Sequence, residues 1–285
     1  MFAAVAGGEI FYRVLGEGEP LLMIHGGPDW DHSYLLPAAD RLSELHQVIL
    51  FDIRGCGQST RFDDVSQYTM ANILADIEAL LDHLDIDTCH VLGFSFGGMV
   101  AANLLATNHS VFRSLVLASA ACHDDFQQDL HDTPGYRDRC STDIQQFMQY
   151  CFREAPADEE EPSRSMALGC LALDVGELEH VDRIRPTIEK VRFSSEWIRA
   201  FRAGHVQTPA VDLAELINRQ QIKTLIIHGT KDYRFPVLAA RRLARQCPTA
   251  RLCEVEDAGH MAHLEATTMW CDQVGQFLLE QTTAA

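Results

Sequence analysis

Short apolar runs alternate along this chain with longer stretches of helical periodicity. Glu9-Ile10-Phe11-Tyr12-Arg13-Val14 alternates as a strand of an antiparallel hairpin does, and Gly16-Glu17-Gly18-Glu19-Pro20 reads as a turn. Leu21-Leu22-Met23-Ile24 and Val48-Ile49-Leu50-Phe51 are apolar throughout, the pattern of strands buried on both faces of a parallel sheet. Between them, Tyr34 to Leu45 predicts a helix. Thr69 is placed to cap a second helix, whose Ile73, Ile77, Leu80, Leu81 and Leu84 fall at i, i+4, i+7, i+8 and i+11. Cys89 to Leu92 predicts another buried strand, Met99 to Leu105 a helix with a small-residue face, and Val111 to Leu117 a further strand.

From about Cys122 to about Gln207 the pattern changes. Ile144, Phe147, Met148, Tyr150 and Cys151 are spaced helically, the acidic run Asp158-Glu159-Glu160-Glu161-Pro162 intervenes, and no strand is predicted. After Pro209 the sheet pattern resumes. Thr224-Leu225-Ile226-Ile227 is a strand, a helix runs from Pro236 to about Cys247, Arg251 to Val255 is a last strand, and an amphipathic helix spans Leu264 to Glu280. The fold class expected is therefore α/β, a mostly parallel sheet covered by helices on both faces. Residues 1–121 and 208–285 form its core, and residues 122–207 a helical cap inserted into it.

Composition excludes more than it selects. The chain of 285 residues is 47% hydrophobic and carries a formal net charge of −18, which argues against nucleic acid and anionic membrane surfaces as partners. No apolar run reaches transmembrane length, and Met1 to Gly8 lacks the basic and apolar regions of a signal peptide. The nine cysteines are odd in number and scattered, without a C-x-x-C, so reduced thiols and a cytoplasmic location are expected. Thirteen histidines show no ligand spacing with cysteine or carboxylate, so neither a metal nor a cofactor is expected.

Chemistry enters at Gly93-Phe94-Ser95-Phe96-Gly97-Gly98. Gly-x-Ser-x-Gly between a buried strand and a helix is the pattern of a nucleophile elbow, a tight turn that lifts a serine hydroxyl into the open. A serine hydroxyl needs a base and an orienting acid. Function in such sheets gathers at the carboxyl ends of strands, where Asp232 and His260 follow two later strands, in the chain order Ser…Asp…His. Ser95 is then the nucleophile, His260 the base and Asp232 the residue that fixes the imidazole. The backbone N–H groups of Phe96 and of Gly27, in His25-Gly26-Gly27-Pro28, are placed to hold an oxyanion.

Competitors remain at each position. His263, His25 and His228 are alternative bases, and Asp124, Asp125 and Asp257 alternative acids. His25 is better suited to bracing the oxyanion loop, and Asp52 and Arg54 to organising Asp52-Ile53-Arg54-Gly55-Cys56-Gly57-Gln58-Ser59. The acidic run reads as a solvated loop, with recognition of a substrate ammonium as its functional alternative. Trp30, Phe94, Phe96 and Trp197 are candidates for an apolar acyl pocket, with core packing as the plainer role.

These motifs, with Gly229-x-x-Asp232 and Gly259-His260, resemble the α/β-hydrolase fold superfamily over nearly the whole chain. His-Gly-Gly-Pro and Arg-Gly-x-Gly-x-Ser resemble its proline iminopeptidase branch most. That likeness implies removal of an N-terminal proline, with cap glutamates on the amine. Asp29 stands where those peptidases continue with glycine, and Phe96 where they carry tryptophan. Phe96 with two glycines is equally similar to small carboxylesterases, enol-lactonases and carbon–carbon bond hydrolases. The expected function is hydrolysis of a small carboxylic ester through an acyl-enzyme on Ser95. The alternatives are an iminopeptidase-like amidase, an acyltransferase, and a ligand receptor without turnover. The partner in every case is a small-molecule ester or amide, and the oligomeric state is not legible.

Overall fold

The structure, a computed structural model, describes residues 1–120, 126–155, 161–206 and 210–282. Asp124, Asp125 and the start of the acidic run lie outside the described residues, as do both edges of the expected cap. Eight strands form one sheet: β1 (Phe2–Val5), β2 (Gly8–Leu15), β3 (Pro20–Ile24), β4 (Gln47–Phe51), β5 (Cys89–Phe94), β6 (Phe112–Ala118), β7 (Thr224–Gly229) and β8 (Arg251–Val255). Their order is β1-β2-β4-β3-β5-β6-β7-β8. The β1–β2 and β2–β4 pairs are antiparallel and every later pair is parallel.

Alternation along the strands divides the core in two. Leu22, Ile24, Val91, Leu115, Leu117 and Ile226 face one cluster, while Leu21, Met23, Leu92, Val116, Leu225 and Ile227 face the other. The first is covered by α2 (Met70–His83), α3 (Phe96–Thr107), α10 (Leu213–Gln220) and α11 (Val237–Gln246). The second is covered by α1 (Leu36–Leu42), α12 (Ala262–Glu265) and α13 (Thr267–Thr282). Burial on both faces is why these strands read as unbroken apolar runs. Thr69 caps α2, its hydroxyl accepting the Asn72 N–H at 3.2 Å.

Between β6 and α10 the elements among the described residues are helices: α4 (Phe126–Asp132), α5 (Tyr136–Arg139), α6 (Thr142–Arg153), α7 (Glu161–Gly169), α8 (His180–Ile188) and α9 (Glu196–Arg202), with a 3₁₀ turn at Leu171–Leu173. Three elements differ from the periodicity. Phe2–Val5 pairs with β2 as an edge strand that its short apolar pattern does not announce. The helix expected from Tyr34 to Leu45 is a 3₁₀ turn, His32–Leu35, followed by α1, with Pro37 in its first turn. The last helix breaks at Ala266, φ −128° and ψ 45°, where the chain turns Glu265 inward.

Candidate active site

Chain order reverses at β3: β4 lies on one side of it and β5 on the other. Crevices at such switch points, outside the carboxyl ends of the strands, are where ligands bind in open α/β sheets. His25-Gly26-Gly27 leaves β3 and Ser95 leaves β5 at this point. Ser95 has φ 53° and ψ −120°, a conformation that side chains rarely adopt. Its N–H donates to the Ala118 carbonyl at 3.0 Å, and its carbonyl accepts the Gly98 N–H at 2.9 Å. Only glycines permit a turn this tight. A Cβ on Gly93 would lie 2.4 Å from the Gly97 carbonyl oxygen, and one on Gly97 would lie 2.1 Å from that of Ile24.

Phe96 opens α3, so its N–H has no carbonyl one turn back to receive it. Gly27 has φ +125°, and the neighbouring Gly26 N–H donates to the Tyr34 hydroxyl at 2.7 Å. Among the described residues neither the Gly27 nor the Phe96 N–H donates to a protein acceptor. His25 braces this loop: its Nε2 accepts the Ile53 N–H at 3.0 Å, so Nδ1 carries the proton and donates to the Gly26 carbonyl at 2.7 Å. Burial lowers its pKa, as a neutral ring requires. Asp52 accepts the His32 N–H, the His32 ring and the Gln58 N–H, and Arg54 pairs with Asp76 through two bonds of 2.7 and 2.6 Å.

His260 lies 3.0 Å through Nε2 from Ser95 Oγ and 2.9 Å through Nδ1 from Asp232 Oδ2. Asp232 is buried and accepts four hydrogen bonds. The Arg234 and Phe235 N–H groups reach Oδ1 at 2.8 Å each, and His260 Nδ1 and His228 Nε2 reach Oδ2 at 2.9 and 3.2 Å. Burial alone would raise its pKa, but the two histidines outweigh that and hold the carboxyl well below the usual range. The rings of Phe94 and Phe235 pack on the imidazole, with centroids at 5.2 and 5.4 Å.

The competitors sit elsewhere. His263 is buried against Phe94, Tyr34 and Trp270, and burial pushes its pKa down to about 3. The exposed Asp257 pairs with Lys231 at 2.7 Å. Among the four pocket candidates, Phe94 is wedged between Tyr34 and the rings of His260 and His263. Trp197 is buried on α9, its indole N–H on the Arg54 carbonyl at 2.9 Å and its ring against Phe96 at 6.0 Å. Trp30, half-buried, meets Tyr34 and Phe193 edge-on. Among the described residues no group of three or more His, Cys, Asp and Glu side chains is arranged to hold a metal, and no helix is long and apolar enough to cross a membrane.

Periodicity gave no sign of Glu265. Its carboxylate accepts the Gly259 N–H at 2.6 Å, the Gly176 N–H at 2.9 Å and His180 Nδ1 at 2.8 Å. It thereby ties the loop that presents His260 to the helical segment. Arg234 does the same from the β7 side, with two bonds to Asp174 of 2.7 and 3.0 Å. Two charged residues close in sequence to Asp232 and His260 were the available signal. Glu265→Ala leaves two buried amides without acceptors and is expected to cost about 2–5 kcal/mol, read by urea unfolding. A loss within about 0.5 kcal/mol would show that water replaces the carboxylate there.

The sequence profile of the family described as alpha/beta hydrolase fold matches residues 19–267. The chain belongs to that family. A proline iminopeptidase of Lactobacillus crispatus (strain ST1) is 26% identical to this hydrolase over 297 residues, covering 95% of each chain. Its fold is shared by an esterase from Thermogutta terrifontis, with TM-score 0.75 and 20% identity over 99% of this chain and 98% of that one. It is also shared by a meta-cleavage product hydrolase from Pseudomonas fluorescens IP01, with TM-score 0.74 and 22% identity over 98% and 97%.

Proposed function

We propose that this hydrolase cleaves a small carboxylic ester through an acyl-enzyme on Ser95. The unbroken hydrogen-bond chain from Asp232 through His260 to Ser95 carries this proposal. Ser95 Oγ attacks the carbonyl carbon as His260 Nε2 takes its proton, and the oxyanion forms against the Gly27 and Phe96 N–H groups. Collapse expels the alcohol, which receives the proton from His260, and water then releases the acid by the same steps. Asp232 keeps the imidazole in the tautomer that accepts at Nε2. The helical segment between β6 and α10 serves as a cap, with Trp30, Phe94 and Trp197 bounding the acyl side.

Cleavage of an N-terminal proline is the second reading, and relatives of that name over 95% and 94% of the chain favour it. It requires a carboxylate for the substrate ammonium. Of the buried candidates near the elbow, Glu196 is occupied by Arg61, Arg199 and the Ser195 N–H, and burial beside Ser163 pushes the pKa of Asp29 up to about 7. Neither offers a ready anion for the ammonium, which is why the ester is placed first. Turnover of p-nitrophenyl acetate, butyrate and octanoate, set beside proline p-nitroanilide, separates the two. The ester proposal expects the larger kcat/KM with an ester, and the reverse order hands the site to the peptidase. A protein that neither reacts with a fluorophosphonate nor turns over any of the four substrates defeats both.

A further inference from the structure

Asp29 lies two residues beyond Gly27, in surroundings that do not suit a carboxylate. The residue is buried, Oδ2 is 2.9 Å from Ser163 Oγ on α7, and Oδ1 has no hydrogen-bond partner among the described residues. The titratable groups facing it are Glu196 on α9 and the Cys56 thiol in the loop after β4, whose pKa burial raises well above the ordinary value. Glu196 is taken by Arg61 at 3.7 Å and Arg199 at 3.4 Å. Asp31, on the same loop as Asp29, accepts the Ser33 and Arg192 N–H groups. Among the described residues no cation pairs with Asp29, so an ionised carboxyl there would be an uncompensated buried charge.

The proton count points the same way. Ser163 Oγ also lies 2.7 Å from the Ser194 carbonyl oxygen. A hydroxyl has one proton to give and a carbonyl can only accept. With that proton on Ser194, the 2.9 Å contact is a hydrogen bond only if Asp29 donates. The Ser194 N–H returns to the Asp29 carbonyl at 2.9 Å, so the two residues are tied twice.

We propose that Asp29 is a positioning residue that works as a neutral acid: its Oδ2–H donates to Ser163, Ser163 donates to the Ser194 carbonyl, and this relay pins the loop carrying Gly27 to the helical segment. Its effect on the reaction rests on the acyl-enzyme proposal for Ser95; its protonation does not. Burial pushes the Asp29 pKa up to about 7, with Glu196 reinforcing. An unfolded aspartate titrates near 4. The folded chain therefore holds a proton that the unfolded chain has lost between those values. Stability from this group is full below about pH 4 and is gone as pH rises through about 7.

Asp29→Asn places an amide N–H where the acid O–H stands and cannot ionise. Thermal midpoints of the full chain and of D29N, followed from about pH 5 to about pH 8.5, are expected to diverge by several degrees, the wild type falling relative to the variant. Wild-type kcat/KM carries a decline above about pH 7 that D29N lacks. A midpoint gap that is constant with pH, or that closes as pH rises, overturns the proposal. Should D29N not fold, infrared difference spectra of the wild type read the same proton. A protonated-carboxyl band that disappears between about pH 6 and about pH 8.5 and shifts in Ser163→Ala supports it, and no such band at pH 6 overturns it. A wild type inert toward every ester that still shows the diverging midpoints removes the acyl-enzyme proposal and leaves the neutral acid standing. An active enzyme whose alkaline decline persists in D29N removes the link to Gly27.

Discussion

Ser95→Ala is expected to lower kcat/KM toward any ester substrate by about 10⁴- to 10⁶-fold and to abolish labelling by a fluorophosphonate. Among the described residues only Ser95 Oγ stands within hydrogen-bond reach of His260 Nε2, at 3.0 Å, so removing it removes the atom that would carry the acyl group. Stability is expected to change by less than about 1 kcal/mol. Alanine has the same Cβ at φ 53°, and the two backbone bonds that hold the turn, to Ala118 and from Gly98, do not involve the hydroxyl. That combination separates chemistry from folding. A variant with native unfolding behaviour and no turnover assigns the nucleophile. A variant that retains turnover within about tenfold of the wild type assigns it elsewhere, because water activated by His260 alone does not reach such rates. Buried thiols such as Cys56, whose pKa burial raises, are poor substitutes.

What the sequence makes legible is local. The elbow was legible because its glycines, its apolar strand and its helix are contiguous, and so were the Thr69 cap and the Arg251–Val255 strand, whose ends match the structure. Asp232 and His260 were legible by the rule that chemistry collects at strand ends, applied to two strands found independently of any motif. Other features depend on contacts that no spacing encodes. Glu265 meets Gly176 across 89 positions, and Asp29 meets Ser163 across 134. Each pairs a core loop with a helical segment whose own periodicity announces only that it is helical. The break at Ala266 was hidden for the same reason. Apolar spacing runs on through it, and the pull on Glu265 comes from the amides of Gly259 and Gly176. The edge strand Phe2–Val5 was missed because a single pairing partner, β2, leaves it too short and too exposed to show strong alternation.

Asp232→Asn is expected to lower kcat by about 10⁴-fold with little change in KM. The carboxylate accepts four donors, two at each oxygen. An asparagine can keep its carbonyl on the Arg234 and Phe235 amides, and its NH₂ then faces both imidazoles. His260 meets that donor only by turning a lone pair toward it at Nδ1, which moves its proton to Nε2, opposite Ser95 Oγ. The ring then donates to the serine where it should accept, and cannot take the hydroxyl proton. His228 sharpens the conflict. Its Nε2–H is shared between the Phe235 carbonyl at 2.7 Å and Asp232 Oδ2 at 3.2 Å, so two donors confront each other if the amide faces it. Because Asp232 is two bonds removed from the substrate in this chain of contacts, binding is spared and the loss falls on the chemical step. Single-turnover acylation followed by stopped flow makes the distinction. A slow acylation rate with an unchanged saturation curve is the expected result, and a D232N enzyme within about tenfold of the wild type would move the orienting role to another residue.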